Sequence, residues 1–339
     1  VNNTDCREYT IHLAPGLGPG FFRFAAACWT IETLRLILSV LGASARRRSL
    51  LEELLAVEKW DLGVFASIDA GLGVKLEVAR ELGVPTIQLH APEQATRTPQ
   101  RAKDFLARLK HDQIELSAVF AGFEGESYAD IPTVSRTVGL VPPETRAARV
   151  AELKAISDFA ALLGCRVVGL HVGFVPHDRQ HPLYQQVLAV TQEVCDHVAR
   201  HDQALHLETG QEPAVALLQF MGDVGRKNLF INFDPANMIL YGSGEPIEAL
   251  RKVGHLVRSV HCKDGTWAKN PGQEWGAEVP LGEGDVGMEN YLRTLDEIGY
   301  TGPLTIEREI PQEPERQKAE IGRAVNLLNQ LKAKLGVGR

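Results

Sequence analysis

The 339-residue chain is 44% hydrophobic and 23% charged, an ordinary globular composition that argues against a disordered, collagenous or coiled-coil protein and provides for a sizeable core. Against 36 Lys and Arg stand 43 Asp and Glu, and a net charge of −7 repels phosphate backbones and anionic headgroups, so neither nucleic acid nor a membrane surface is expected as a partner. Five scattered cysteines, Cys6, Cys28, Cys165, Cys195 and Cys262, have no CxxC spacing, which suggests neither a disulfide framework nor a structural zinc cluster and fits a cytoplasmic location.

In chain order, residues 1–58 read as an appended N-terminal extension. Gly16-Leu17-Gly18-Pro19-Gly20 breaks the chain, an apolar stretch over 21–45 follows, and Arg46-Arg47-Arg48 reads as a solvated turn. The apolar stretch is no membrane span, because Arg23, Glu32 and Arg35 would each cost about 2.5–3.5 kcal/mol near a bilayer centre. Residues 36–42 with Ala43-Ser44-Ala45 imitate a secretion signal, but the acid-containing residues before them are the wrong leader.

Residues 59–335 are different. Short β-branched or Leu-rich runs alternate with longer stretches of helical period, which implies βαβ units. Strands are predicted over 62–68, 86–90, 115–120, 167–171, 204–208, 229–234, 257–263 and 304–307. That spacing allots about 34 residues to each unit, enough for one strand, one crossover helix and two loops. Between the third and fourth strands, Val150, Leu153, Ile156, Phe159 and Leu163 recur at helical spacing and Gly164 supplies a stop. The expected fold class is therefore α/β, a closed (β/α)8 TIM barrel. A doubly wound sheet would need two of these strands to be absent and a Gly-rich turn after an early strand. The run Gly282-Glu283-Gly284-Asp285-Val286-Gly287 has GxGxxG form, but it lies late, follows Pro280 and carries two acids that repel phosphate. It reads instead as part of a long loop in which Trp267 and Trp275 are available to cover a site.

Catalytic groups of such barrels lie at the C-terminal ends of strands. Strand five ends in His206-Leu207-Glu208, strand six in Asn232-Phe233-Asp234, strand seven in His261-Cys262-Lys263-Asp264 and strand eight in Glu307-Arg308-Glu309. Taken singly, Asp234 before Pro235 is an ordinary helix cap. Converging together, three carboxylates and an imidazole would repel unless a cation sat among them. Oxygen-rich ligation with one His suits a single divalent ion, Mn2+, Mg2+ or Co2+, with Zn2+ also admissible.

These four strand ends resemble those of the xylose-isomerase-like barrel family of sugar phosphate isomerases and epimerases. The resemblance implies that Glu208, Asp234, His261 and Glu307 are metal ligands, with Glu309 the alternative if the register of strand eight differs by two. It also implies that Glu208 and Glu307 are catalytic, one removing a carbon-bound proton and the other returning it through a metal-stabilised enediolate of a sugar, sugar phosphate or polyol. Substrate-binding candidates are His171 and His90 at two further strand ends, Lys263 on the face of His261, Gln211, and Asn237. Ketohexose 3-epimerases of the family often carry His three residues after the strand-six Asp, where this chain has Asn237. The His261-x-Lys263-Asp264 run looks like that of the inosose-processing branch, so a dehydratase is the alternative activity. The endonuclease IV branch fits less well, because its three metals require further His and Glu ligands and a DNA-binding rim. Barrels of this family frequently pair, which admits a homodimer, although no interface signature stands out.

Overall fold

A computed structural model of the chain describes residues 60–68 and 72–337. The expected N-terminal extension, residues 1–58, lies outside the described residues. Eight parallel strands form the sheet: β1 (Leu62–Ser67), β2 (Thr86–His90), β3 (Glu115–Phe120), β4 (Val167–Leu170), β5 (Ala204–Glu208), β6 (Leu229–Phe233), β7 (Val257–Cys262) and β8 (Leu304–Ile306). Each pairs with its neighbour in chain order, and β8 pairs with β1 through Leu62 and Leu304, which closes the barrel. A two-residue strand, Val74–Lys75, adds to the end of β1. All eight expected strands are present, the largest difference at any end being one residue.

The crossover helices are α1 (Leu76–Glu81), α2 (Pro99–Asp112), α3 (Pro143–Leu162), α4 (Pro182–Val198), α5 (Ala214–Val224), α6 (Pro246–Val253), α7 (Met288–Glu297) and α8 (Pro314–Leu335). Several begin with Pro, whose missing N–H costs nothing in the first turn. In α2, the Thr98 hydroxyl caps the amide of Arg101 at 3.2 Å. The helix between β3 and β4 buries Val150, Leu153, Ile156 and Phe159, and Gly164, at φ 68°, ends it where a side chain would be strained.

Outward-facing strand residues such as Val168, Leu170, Leu205, Leu207, Ile231 and Val260 are fully buried against the helices and form the core. Inward-facing residues are mostly polar or aromatic. Phe65, 5.7 Å from the His261 ring, and Phe120, at the same distance, reach across the barrel from non-adjacent strands. Gly169 leaves room for this, because a Cβ there would lie 2.3 Å from the Phe120 ring. At the opposite end, Trp60 Nε1 donates to the carbonyl of Tyr300 at 2.8 Å and Lys332 Nζ donates to the carbonyl of Trp60 at 2.7 Å, sealing the base.

The expected long loop after β7 is in fact structured. Asp264–Thr266 pairs antiparallel with Ala277–Val279. Buried Asp264 accepts the amides of Gly265, Gly282, Gly284 and Val286 at 2.9–3.2 Å. The GxGxxG-like run thus folds around a carboxylate of its own chain, and a Cβ on Gly284 would lie 2.2 Å from Asp264 Oδ1. No helix among the described residues is long and apolar enough to cross a membrane.

Candidate metal centre and active site

Period-two alternation places Glu208 with His206 on the inner face of β5, His261 with Ser259 and Lys263 on that of β7, and Gln88 with His90 on that of β2. Asp234 follows β6 and caps the short helix Pro235–Tyr241 by accepting the Asn237 amide at 2.9 Å, the ordinary role open to it from sequence. Its other oxygen, Oδ2, is free of that duty and points inward.

Three carboxylate oxygens converge on one ring nitrogen. His261 Nδ1 lies 2.7 Å from Glu307 Oε2, 2.8 Å from Glu208 Oε1 and 3.5 Å from Asp234 Oδ2. One ligand atom from each of the four residues lies within 4.8 Å of the others. Asp234 Oδ2 is buried without a hydrogen-bond partner, and buried Glu307 Oε2 makes no hydrogen bond beyond its approach to His261 Nδ1. Such orphaned anionic atoms are costly in a protein interior, and a shared cation would satisfy both. The residues therefore fit a divalent ion.

The far side of the ring supports this arrangement. Gln88 Nε2 donates to Asn232 Oδ1 at 3.2 Å, which turns Gln88 Oε1 toward His261 Nε2 at 2.8 Å. That oxygen can only accept, so Nε2 carries the proton and Nδ1 offers its lone pair to the carboxylate side. Burial alone would lower the pKa of His261, but Glu307 and Glu208 hold it well above the usual histidine range. Without a metal, a second proton on Nδ1 takes the cation's place.

The three carboxyls are not equivalent. Burial pushes Asp234 up to about 6, the repulsion of Glu307 and Glu208 adding to it. Burial also acts on Glu208 and Glu307, yet both lie below the usual carboxylate range. His171 and His261 outweigh burial at Glu208, while Lys263 and His261 do so at Glu307. Glu208 Oε2 is 3.0 Å from His171 Nε2, and its Oε1 also accepts from Asn237 Nδ2 at 3.2 Å. Lys263 Nζ is buried between Glu278 at 3.6 Å, Glu307 at 3.7 Å and Glu309 at 3.9 Å.

Seven of the nine sequence-derived candidates are thus brought together: Glu208, Asp234, His261, Glu307, His171, Lys263 and Asn237. Glu307 joins the cluster, whereas the side chain of Glu309 is 65% exposed on the rim. Gln211 is one layer away, donating to the Tyr241 hydroxyl at 3.1 Å while its Oε1 has no partner. His90 is also outside the cluster, its ring 6.3 Å from that of Phe65. Burial lowers the pKa of His90, aided by Arg97.

Three features have no counterpart in the sequence analysis. One is the Gln88–Asn232 pair. Another is an aromatic patch gathered from four segments: Tyr128 lies 5.9 Å from His171, Phe174 lies 5.7 Å from Tyr241, and Trp275 lies 4.6 Å from Tyr241. Trp275 packs on Tyr241, which accepts from Gln211, whereas Trp267 is 36% exposed. The third is Glu212, whose Oε1 accepts the Val175 amide at 2.8 Å and whose carboxyl burial pushes up to about 8. The HLETGQE run does carry this acid, but nothing in its spacing reveals the burial.

The profile of the family described as xylose isomerase-like TIM barrel matches residues 76–331. A solved xylose isomerase domain protein from Planctomyces limnophilus is 60% identical, with a TM-score of 0.80 over 82% of this chain and 99% of its own. The L-ribulose-5-phosphate 3-epimerase UlaE of Salmonella typhi is 33% identical over 104 residues, covering 31% of this chain and 34% of the relative. The inosose dehydratase of Clostridium botulinum is 28% identical over 115 residues, covering 31% of this chain and 38% of the relative. The matched region spans little more than a third of the length of these curated relatives.

Proposed function

Because the chain belongs to the xylose isomerase-like TIM barrel family, we propose that it is a metal-dependent sugar or polyol isomerase or epimerase that works by proton transfer through an enediolate. The observation that carries this reading is the pair of carboxylates, Glu208 and Glu307, each within 2.8 Å of His261 Nδ1 and both held below the usual carboxylate range. A divalent cation, Mn2+, Mg2+ or Co2+ with Zn2+ admissible, held by Glu208, Asp234, His261 and Glu307 would supply Lewis-acid polarisation of a substrate carbonyl.

The chain's own residues divide the remaining work. Glu208 is ionised and so can accept a proton from the carbon beside that carbonyl. Its hydrogen bond to His171 orients it, and His171 Nδ1, buried without a partner, faces no competing group. Glu307, kept ionised beside Lys263, serves the opposite side by exchanging a proton with the same or the adjacent carbon. Two bases in one site permit either epimerisation at one centre or isomerisation between neighbours. Lys263 contributes a buried cation to a substrate oxygen, Gln211 Oε1 accepts from a hydroxyl, and the Tyr128–Phe174–Tyr241–Trp275 patch excludes water.

Incubating the metal-loaded protein in deuterium oxide with a panel of ketoses, aldoses and inososes tests this. The proposal expects deuterium at a carbon next to the carbonyl and a product isomeric with its substrate. Glu208→Gln should lower the exchange rate by about a hundred- to ten-thousand-fold. Absence of exchange across the panel would contradict it. A second reading, an inosose-type dehydratase, is favoured by the Clostridium botulinum relative and by Lys263 beside Glu307. An unsaturated product lighter by one water would establish that instead. A nuclease of the endonuclease IV type gains no support, since among the described residues the barrel mouth holds a single group of candidate ligands.

A further inference from the structure

We propose that Asp158, His197 and His201 form a second cation site, for an ion of the zinc class, that clips α3 to α4 at the end of the barrel opposite the catalytic mouth. His197 lies in the last turn of α4, and His201 ends the 3-10 turn Ala199–His201 that continues it, so the two imidazoles share one helix face. Asp158 stands on α3. Both Nε2 atoms lie 2.8 Å from the same oxygen, Asp158 Oδ1, and the three candidate ligand atoms lie within 4.8 Å of one another. The position just before β5 puts the cluster at the strands' N-terminal ends, away from Glu208.

The chemistry of the set favours a borderline transition metal. Two imidazole nitrogens with one carboxylate oxygen suit Zn2+ and its neighbours in the affinity series, whereas Mg2+ and Ca2+ prefer all-oxygen shells. Around such an ion, ligand atoms stand about 3.3 Å apart, as metal–ligand distances of about 2.0–2.1 Å in a tetrahedron require. The two contacts to Asp158 need open by only about half an ångström to reach that spacing, and the two imidazole nitrogens already lie within 4.8 Å of each other. The side chains can supply this, being 56% exposed at Asp158, 34% at His201 and 16% at His197. An ion can also reach them from solvent.

The backbone beneath is tied together by buried hydrogen bonds, which preorganises the ligands. Ser157, adjacent to Asp158, and Gln203, two residues past His201, are both buried and bonded to each other: Ser157 Oγ donates to Gln203 Oε1 at 2.6 Å. Gln203 Nε2 donates to the carbonyls of Ser157 at 3.1 Å and Cys165 at 2.9 Å. Asp158 accepts two N–H groups on a single oxygen, a role in which a cation would replace the two protons. Because the unfolded chain lacks this constellation, binding would stabilise the fold.

The test compares the metal-stripped full chain with His197→Gln/His201→Gln after dialysis of both against the same micromolar free Zn2+. The clip predicts one more zinc per chain in the unsubstituted protein, and a zinc-induced rise in Tm larger by roughly 5 °C at saturation. The barrel-mouth ligands are unaltered in both proteins, so the difference reads the clip whether or not the mouth takes up zinc. Equal zinc contents and equal Tm shifts would overturn the proposal. Asp158→Asn, which keeps an acceptor oxygen and loses the charge, is the second variant should the double substitution impair folding. It is expected to weaken zinc binding at this site at least about tenfold, and unchanged affinity would likewise overturn the proposal.

Discussion

Gln88 Oε1 lies 2.8 Å from His261 Nε2, and this one hydrogen bond across the barrel decides which nitrogen of the ring faces the carboxylates. Replacing Gln88 with Leu removes the acceptor while keeping the bulk. The ring is then free to change tautomer or rotate, so Mn2+ affinity should fall about ten- to a hundredfold with little change in secondary structure. Calorimetric titration with Mn2+ checks this, and an unchanged affinity would show that Gln88 does not set the tautomer.

Asp234 is the cluster carboxyl that is raised, to about 6, by burial first and then by the repulsion of Glu307 and Glu208, and its Oδ2 has no hydrogen-bond partner. Asp234→Asn retains an acceptor for the Asn237 amide and removes one negative charge. At pH 8 the metal-free variant should melt higher than the parent by about 2–4 °C. Its gain in Tm on adding Mn2+ should be much smaller than the parent's. A lower melting temperature for the metal-free variant would contradict the account of repulsion.

Glu212 gives a pH signature separate from the four ligands. Its folded pKa, about 8, is above the ordinary 4.5, so the buried group favours the protonated form. Its contribution to stability is complete below about pH 4.5 and is lost as pH rises through about 8. Glu212→Gln, still able to accept from Val175, should therefore gain stability over the parent progressively across that window, by a few kcal/mol at most. Urea unfolding at several pH values measures the difference, and a difference that does not grow with pH refutes it.

Asp264 gathers four backbone amides on its carboxylate. Asp264→Ala should cost on the order of 3 kcal/mol, since four backbone donors, those of Gly265 and Val286 buried, would lose one acceptor together. Amide hydrogen exchange should accelerate at Gly282, Gly284 and Val286 before it does in the strands. Uniform protection at those amides would show the loop to be held by something else.

The barrel was legible because parallel strands buried on both sides carry dense runs such as Val167-Val168-Gly169-Leu170, with helices of clear period between them. The four candidate ligands were legible because each follows such a run directly. What escaped lies in the third dimension. Gln88 and Asn232 are polar residues inside strands, and only closure of the cylinder makes them partners across it. The aromatic patch draws on segments more than a hundred residues apart, with no shared motif. Asp264 sits beside the recognisable His261-x-Lys263, yet the geometry gives it the loop and not the substrate. Cys165 and Cys195 are free and buried in the core, and burial pushes their thiols up to about 11 and about 12.

The central claim is that Glu208, Asp234, His261 and Glu307 share one divalent ion. A crystal of the Mn2+-soaked protein, with diffraction recorded at the manganese absorption edge, addresses it directly. One anomalous peak within bonding distance of all four side chains is expected, and its loss in Glu208→Gln. A peak elsewhere, or none at the barrel mouth under saturating Mn2+, would contradict it.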